Sequence, residues 1–393
     1  MSALSGIRVL DFGRFLAGPY CATMLAEYGA DVIRIEQPGG GEDRSLCPVT
    51  DANEGALFLQ VSRNKRSLTL DITADHGRQI VRKLVATADI VVTNMPRFAL
   101  PAFGLDYATL KAVKPDIIHV NSSAYGDVGP WAERPGFDSV GQAMSGAVWM
   151  SGSPEQPYRA QVNWVDYGTA VHAAFGAVLA LQERSRTGRG QEVGTSLLGT
   201  AIAFQNGMLI DQMMLNSNRR GLGNRGFASG PTDVFRVTDG WIVVHVVSNA
   251  IFRRWARLIG EVGWIEDPRF ANDKLRGDHG ELLSERCASW CAGRSREQAL
   301  AELGAAKVPA APILSAQEAI DHPQVEALDL LVPVECPDSG LPVRVARVPI
   351  TLSETPGEIK SGPPSAGAHN DEILTEIGLS EAEIDALRQE SVI

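Results

Sequence analysis

IRVLDFGRFLAGPYCATMLAEYGADVIRIE, residues 7–36, decides the fold. Ile7 to Phe12 is apolar and β-rich. After the loop 13–19, Cys21, Met24, Leu25 and Tyr28 recur at i, i+3, i+4 and i+7, the spacing that lines one face of a helix. Pro19 stands in that helix's first turn and Gly29 just past its end, where a left-handed residue is wanted. A second apolar run, Asp31 to Glu36, follows at once. Two strands separated by a helix form a βαβ unit, and such strands run parallel.

The pattern repeats outward from this unit. SLTLDI (67–72) precedes a helix carrying Ile80, Val81, Leu84 and Val85; DIVVTN (89–94) is the next strand; a helix near Tyr107 to Val113 leads into DIIHVNS (116–122). Strands alternating with helices predict a Rossmann-like, doubly wound α/β sheet. Its ligand belongs outside the carboxyl ends of the strands, at the loops 13–18, 36–41, 94–97 and 122–130. A long helix over about 165–184, apolar at Val165, Val171, Phe175, Val178 and Leu179, ends at Gly188, and another spans about 196–214. The glycine-rich stretch 216–226 then gives way to a hairpin, DVFRV turning at Asp239-Gly240 into WIVVHVV, and to helices through Leu303. The expected organisation is a large domain over 1–224, a smaller α+β domain over 225–315, and a return to the large domain over 316–393. That return includes an extended, proline-punctuated stretch (332–365) and a last helix announced by the capping box Ser380 and Glu383.

Of the 393 residues 44% are hydrophobic and 21% charged, ordinary globular values that exclude a disordered chain. With 47 acidic residues against 36 basic ones, the net charge of −11 offers no general attraction to phosphate backbones or anionic lipid, so neither nucleic acid nor a membrane is an expected partner. No apolar run reaches the ~20 residues of a membrane span, and the first residues do not read as a signal peptide. Five cysteines cannot make a disulfide framework and leave one unpaired, which points to a reducing cytoplasm.

Several motifs invite a chemical reading and do not sustain it. Gly221-Leu-Gly223-Asn-Arg-Gly226 matches GxGxxG, yet no strand precedes it and no helix follows, so a mobile loop is the better reading. Cys287 and Cys291 share one helix face, but two ligands do not make a metal site, and buried core thiols are expected. The seven histidines are scattered singly, and no metal site is expected. Asp166, in NWVDYGTAVHAAFG, lies in a helix's first turn, where a carboxylate ordinarily just satisfies free backbone N–H groups. The same position, kept ionised by the helix end and partly desolvated, suits a nucleophile for acyl groups.

Several ordered stretches together resemble the class III CoA-transferases, which include formyl-CoA:oxalate and carnitine CoA-transferases, and the related α-methylacyl-CoA racemases. They are GIRVLDFGRFLAGPYCATMLAEYGADVIRIEQPGGGEDR (6–44), NKRSLTLDI (64–72), ADIVVTN (88–94), YGDVGPWAERPGFDSVGQAMSG (125–146), the Asp166 segment through RTGRGQEV (186–193), and AGAHNDEILTEIGLS (366–380). The resemblance implies an interlocked homodimer, an acyl-CoA donor, a small carboxylic acid acceptor and Asp166 as the catalytic nucleophile, with coenzyme A as substrate and no cofactor. It further implies CoA contacts at Leu16, Ala17, Gln37, Leu70, Asp71, Ile72, Thr73, Asn94, Met95, Pro96, Arg97, Arg134, Pro135, Gly136 and Phe137. Gln37 and Ala102 stand where formyl-CoA transferase has basic residues, which leaves Arg97, Arg134 and Lys65 as candidates for the phosphates. The loop 221–230 is the candidate lid. The racemase branch carries a histidine where this chain has Phe137, which cannot move a proton, and a non-catalytic CoA-binding protein would have no use for Asp166. CoA transfer is therefore the expected activity, with racemisation at the α-carbon as the alternative.

Overall fold

A computed structural model describes residues 2–393. Six strands, β1 (Arg8–Asp11), β2 (Asp31–Glu36), β3 (Lys65–Thr69), β4 (Ile90–Thr93), β5 (Ile118–Ser123) and β6 (Glu192–Ser196), form one parallel sheet in the order β3-β2-β1-β4-β5-β6. Val9 of β1 pairs with Val32 on one side and with Ile90 on the other. The order reverses between β1 and β4, so the crevice of this doubly wound sheet opens at the carboxyl ends of those two strands. β3 begins and ends earlier than the apolar run 67–72 suggested, which releases Leu70–Thr73 into the loop beyond it. β6 was not anticipated: it is an edge strand with no fully buried side chain, so it lacks the apolar run that announces the others.

Alternating side chains serve two cores. Leu10, Ile33, Leu68 and Val91 pack under the helices Asp75–Thr87 and Tyr107–Val113 and the two C-terminal helices. Val9, Val32, Ile90, Val92 and Val120 pack under the helices Ala17–Glu27 and Trp164–Thr187. The Trp164–Thr187 helix meets the sheet through Ala170, Ala173, Ala177 and Ala180, small residues that permit close approach, while Val171, Phe175, Val178 and Leu179 stay exposed. At the β1 loop a Cβ on Gly13 would lie 2.7 Å from Pro19 Cδ, so only glycine allows this turn into the helix. The capping box of the last helix is present, Ser380 and Glu383 each satisfying the other's backbone.

The chain divides into two compact units: residues through Ala147, Ala160–Met214 and Glu326–Ile393 in one, Val148–Arg159 and Leu215–Val325 in the other. The second is wider than 225–315. Its antiparallel sheet orders β7 (Thr232–Val237), β8 (Gly240–His245) and β9 (Ala310–Pro312) over a core of Phe235, Ile242, Phe252, Trp255, Leu283 and Trp290. Cys287 and Cys291 are fully buried in that core. In the same unit the Gly223 N–H donates to Gly152 O at 2.6 Å, which ties the glycine-rich loop to the 148–159 segment.

Candidate active site

Asp166 stands in the first turn of the Trp164–Thr187 helix, whose N-cap residue, Asn163, makes no side-chain capping bond. The cap comes from elsewhere. Asp138 opens the Asp138–Met144 helix, and its Oδ2 accepts the backbone N–H groups of Val165 (2.8 Å) and Asp166 (3.1 Å). Gln142, one turn on, donates to Asp138 Oδ1 and accepts the Ala160 N–H at 2.9 Å, so the buried Asp138 carboxylate is itself held in place. Gly141 makes this packing possible, since a Cβ there would fall 2.8 Å from Val165 Cγ1.

This arrangement overturns the expectation that the helix end keeps Asp166 ionised. Two of the leading N–H groups already serve Asp138, and burial followed by the negative charge of Asp138 raises the Asp166 carboxyl from 3.8 to about 7. No cation among the described residues pairs with it. Beside it the Tyr167 hydroxyl donates to Gln60 Oε1 at 2.8 Å, and Tyr20 meets the Tyr167 ring edge-on at 5.0 Å.

The residues singled out for CoA all follow strand ends. Gln37, Leu70, Asp71, Ile72, Thr73 and Met95 line one cleft of about 210 Å³, bounded also by Phe12, Gly13 and Arg14 after β1. Leu16, Ala17, Asn94, Pro96, Arg97 and the segment Arg134, Pro135, Gly136 and Phe137 lie outside it. Ala17 shares a small core with Val165, one residue from Asp166, and Phe137 packs edge-on against Phe15 at 5.6 Å. Several of these side chains are otherwise engaged. Leu16, Ala17 and Leu70 are buried and offer a ligand only backbone. Asn94 grips the Arg14 backbone from both sides, and Asp71 Oδ1 closes a turn on the Thr73 N–H and hydroxyl.

Of the three phosphate candidates, Lys65 is removed: its ammonium is fully buried, 2.7 Å from Asp11 Oδ2 and 2.8 Å from Pro19 O. Arg97 is shared between Asp127 (2.6 Å) and Glu192 (2.8 Å). Arg134 is exposed, its guanidinium 4.1 Å over the Trp131 ring. Sequence reasoning did not find Asp138 or Gln142; no local pattern announces a cap reaching a helix from 28 residues away.

The chain matches the family model described as CoA-transferase family III over residues 4–370. It belongs to that family. This family III chain is 33% identical to the succinyl-CoA–D-citramalate CoA-transferase of Chloroflexus aurantiacus over 99% of its own length and 98% of the relative's. It is 33% identical to the succinate–glutarate CoA-transferase of Agrobacterium fabrum over 95% of each. Among solved structures, a CAIB/BAIF family protein from Brucella suis superimposes with a TM-score of 0.83 at 30% identity, covering 96% of this family III chain and 99% of that one.

Proposed function

We propose that this family III enzyme moves CoA between an acyl-CoA and a free carboxylic acid, with Asp166 as nucleophile. The observation that carries the reading is a carboxylate that no cation among the described residues pairs with, whose pKa of about 7 leaves it substantially ionised at neutral pH yet more basic, hence more nucleophilic, than an ordinary aspartate. The carboxylate attacks the thioester carbonyl, the C–S bond breaks, and CoA leaves as thiolate from a mixed anhydride. The thiolate then attacks the Asp166 acyl carbon, expelling the donor acid as its carboxylate and leaving an aspartyl-CoA thioester. The acceptor carboxylate opens that thioester, releasing the thiolate and forming a second anhydride; the thiolate takes the acceptor acyl group, and Asp166 returns as a free carboxylate that keeps one oxygen from the acceptor. No proton or electron is consumed. Leu16, Ala17, Gln37, Leu70–Thr73, Asn94–Arg97 and Arg134–Phe137 are the proposed CoA contacts. Two relatives named for succinate or succinyl-CoA support a short dicarboxylate as one of the two acids.

The assembly belongs to the same proposal. Phe175 on one helix and Phe204 and Met214 on the helix Leu197–Leu215 expose apolar surface beside a groove of about 1510 Å³ lined by Trp164, Tyr167, Phe175 and Phe204. A second copy of this chain is the proposed cover, giving an interlocked homodimer.

The test is incubation with succinyl-CoA and an ¹⁸O-labelled carboxylic acid acceptor, followed by mass spectrometry of the Asp166 peptide. The expected result is new thioester with label in the Asp166 carboxylate. Transfer that leaves the peptide unlabelled, or that survives Asp166→Ala, rules the reading out.

A further inference from the structure

Phosphate groups in a protein site are met by arginine or lysine, and the cleft at the carboxyl ends of β1 to β4 has two arginines among its lining residues, Arg14 and Arg34. Arg34 is fully buried, with its Nη2 2.6 Å from Asp43 Oδ1 and its Nε 3.5 Å from Glu36 Oε2. Arg14 is different. Its side chain is 56% exposed and, among the described residues, pairs only with Glu42, at 3.5 Å. An exposed pair at that distance is weak and is readily exchanged for a better anion.

The backbone beneath Arg14 is fixed far more firmly than its exposure requires. Three consecutive N–H groups are each satisfied by a side chain from a different part of the sheet's carboxyl side: Gly13 by Asp11 Oδ1 at the end of β1 (2.9 Å), Arg14 by Asn94 Oδ1 just after β4 (2.8 Å) and Phe15 by Asp43 Oδ2 in the helical turn Glu42–Ser45 that follows β2 (3.1 Å). Asn94 Nδ2 also donates to the Arg14 carbonyl at 2.7 Å, and Phe15 is held at φ 61°, a conformation rare for a bulky residue. Such a loop presents one guanidinium at a set position on the cleft mouth with little left to lose in ordering it.

We propose that Arg14 is the phosphate-binding cation of this cleft and that its ligand is a phosphate of the CoA moiety, with Glu42 as the resident anion that the phosphate displaces. The proposal rests on the CoA-transfer reading above. The guanidinium fork meets two phosphate oxygens at once, which an isolated carboxylate 3.5 Å away does not match. It also gives Asn94, Asp43 and Asp11 their purpose: they position the Arg14 loop.

Calorimetric titration of the full-length protein with CoA and with 3′-dephospho-CoA, combined with rates at saturating acyl-CoA, tests the assignment. Arg14→Gln should weaken CoA by roughly 10- to 100-fold, the range of a charge-assisted hydrogen-bonded pair. Arg14→Lys should fall between, and Glu42→Gln should tighten CoA by removing the competitor. For the Arg14 variants the loss should appear in the CoA Kd and the acyl-CoA KM by a larger factor than in kcat, because phosphate contacts act mainly on binding. A loss that persists with 3′-dephospho-CoA assigns Arg14 to the pyrophosphate, and one that disappears assigns it to the 3′-phosphate. CoA binding unchanged in Arg14→Gln, or a fall in saturated rate with binding unchanged, overturns the proposal while leaving the transfer reading intact. A wild-type protein that binds no CoA defeats the transfer reading, and Arg14 with it.

Discussion

The Asp138 carboxylate caps the helix that carries Asp166, accepting the Asp166 backbone N–H at 3.1 Å and that of Val165 at 2.8 Å. One acidic side chain thus fixes where the other begins and raises its proton affinity by its own negative charge. The two effects separate by substitution. Asp138→Asn keeps an oxygen for the two N–H groups and loses the charge, so the acid limb of the kcat/KM profile should move to lower pH with modest loss of rate. Asp138→Ala loses both, and should lower stability by about 0.5–2 kcal/mol as cap removals do and kcat by on the order of 100-fold as the carboxylate shifts. An acid limb that stays in place in Asp138→Asn would show that burial alone sets the proton affinity of Asp166.

In the proposed mechanism Asp166 attacks as the carboxylate, so kcat/KM should climb about tenfold per pH unit on the acid side and level off above about pH 7. A limb near 4 would mean that the carboxylate is better solvated than its surroundings indicate.

The same shift appears in stability with the opposite sense. The folded-state pKa of Asp166 lies above its ordinary 3.8, so its contribution is fully present below about pH 4 and is lost as pH rises through about 7. Asp166→Asn should therefore gain on wild type with rising pH, by on the order of 2 kcal/mol above pH 7 once residual solvation of a half-buried group is allowed for. Thermal melts at about pH 5.5 and about pH 8 read it; equal differences at both would contradict the burial of this charge.

Lys65 reaches Asp11 at 2.7 Å with both side chains fully buried. Removing one partner strands a buried charge, and Lys65→Met should cost roughly 3–5 kcal/mol, whereas Lys65→Met with Asp11→Leu should recover part of that. Since Asp11 also accepts the Gly13 N–H, the double variant should fold better than the single one while binding CoA less well. A single variant as stable as wild type would refute the pairing.

The legible parts of this molecule were those where one stretch of chain sets its own structure. Cys21, Met24, Leu25 and Tyr28 repeat with helical period between two apolar runs, and the βαβ unit follows from residues 7–36 alone. The position of Asp166 in a first turn was equally visible. Its proton affinity was not, because that depends on Asp138 arriving from another helix. β6 was illegible because an edge strand buries little and shows little apolar patterning. Lys65 read as a free cation because no local signal tells that Asp11, two strands away, will share its burial.

Phe137 stands edge-on to Phe15 at 5.6 Å in the segment that leads to Asp138. Racemisation next to a thioester needs a base on one side of the α-carbon and an acid on the other, and a phenyl ring serves as neither. Transfer attacks the carbonyl carbon and leaves the α-proton untouched. In deuterated water, a 2-methylacyl-CoA and an acceptor acid should give new acyl-CoA without deuterium at the α-position, as judged by mass spectrometry. Phe137→His should introduce slow α-exchange, because it restores the proton-carrying histidine of the racemase-like pattern at this position. Rapid deuterium uptake by the wild-type protein with no new thioester would place its chemistry at the α-carbon.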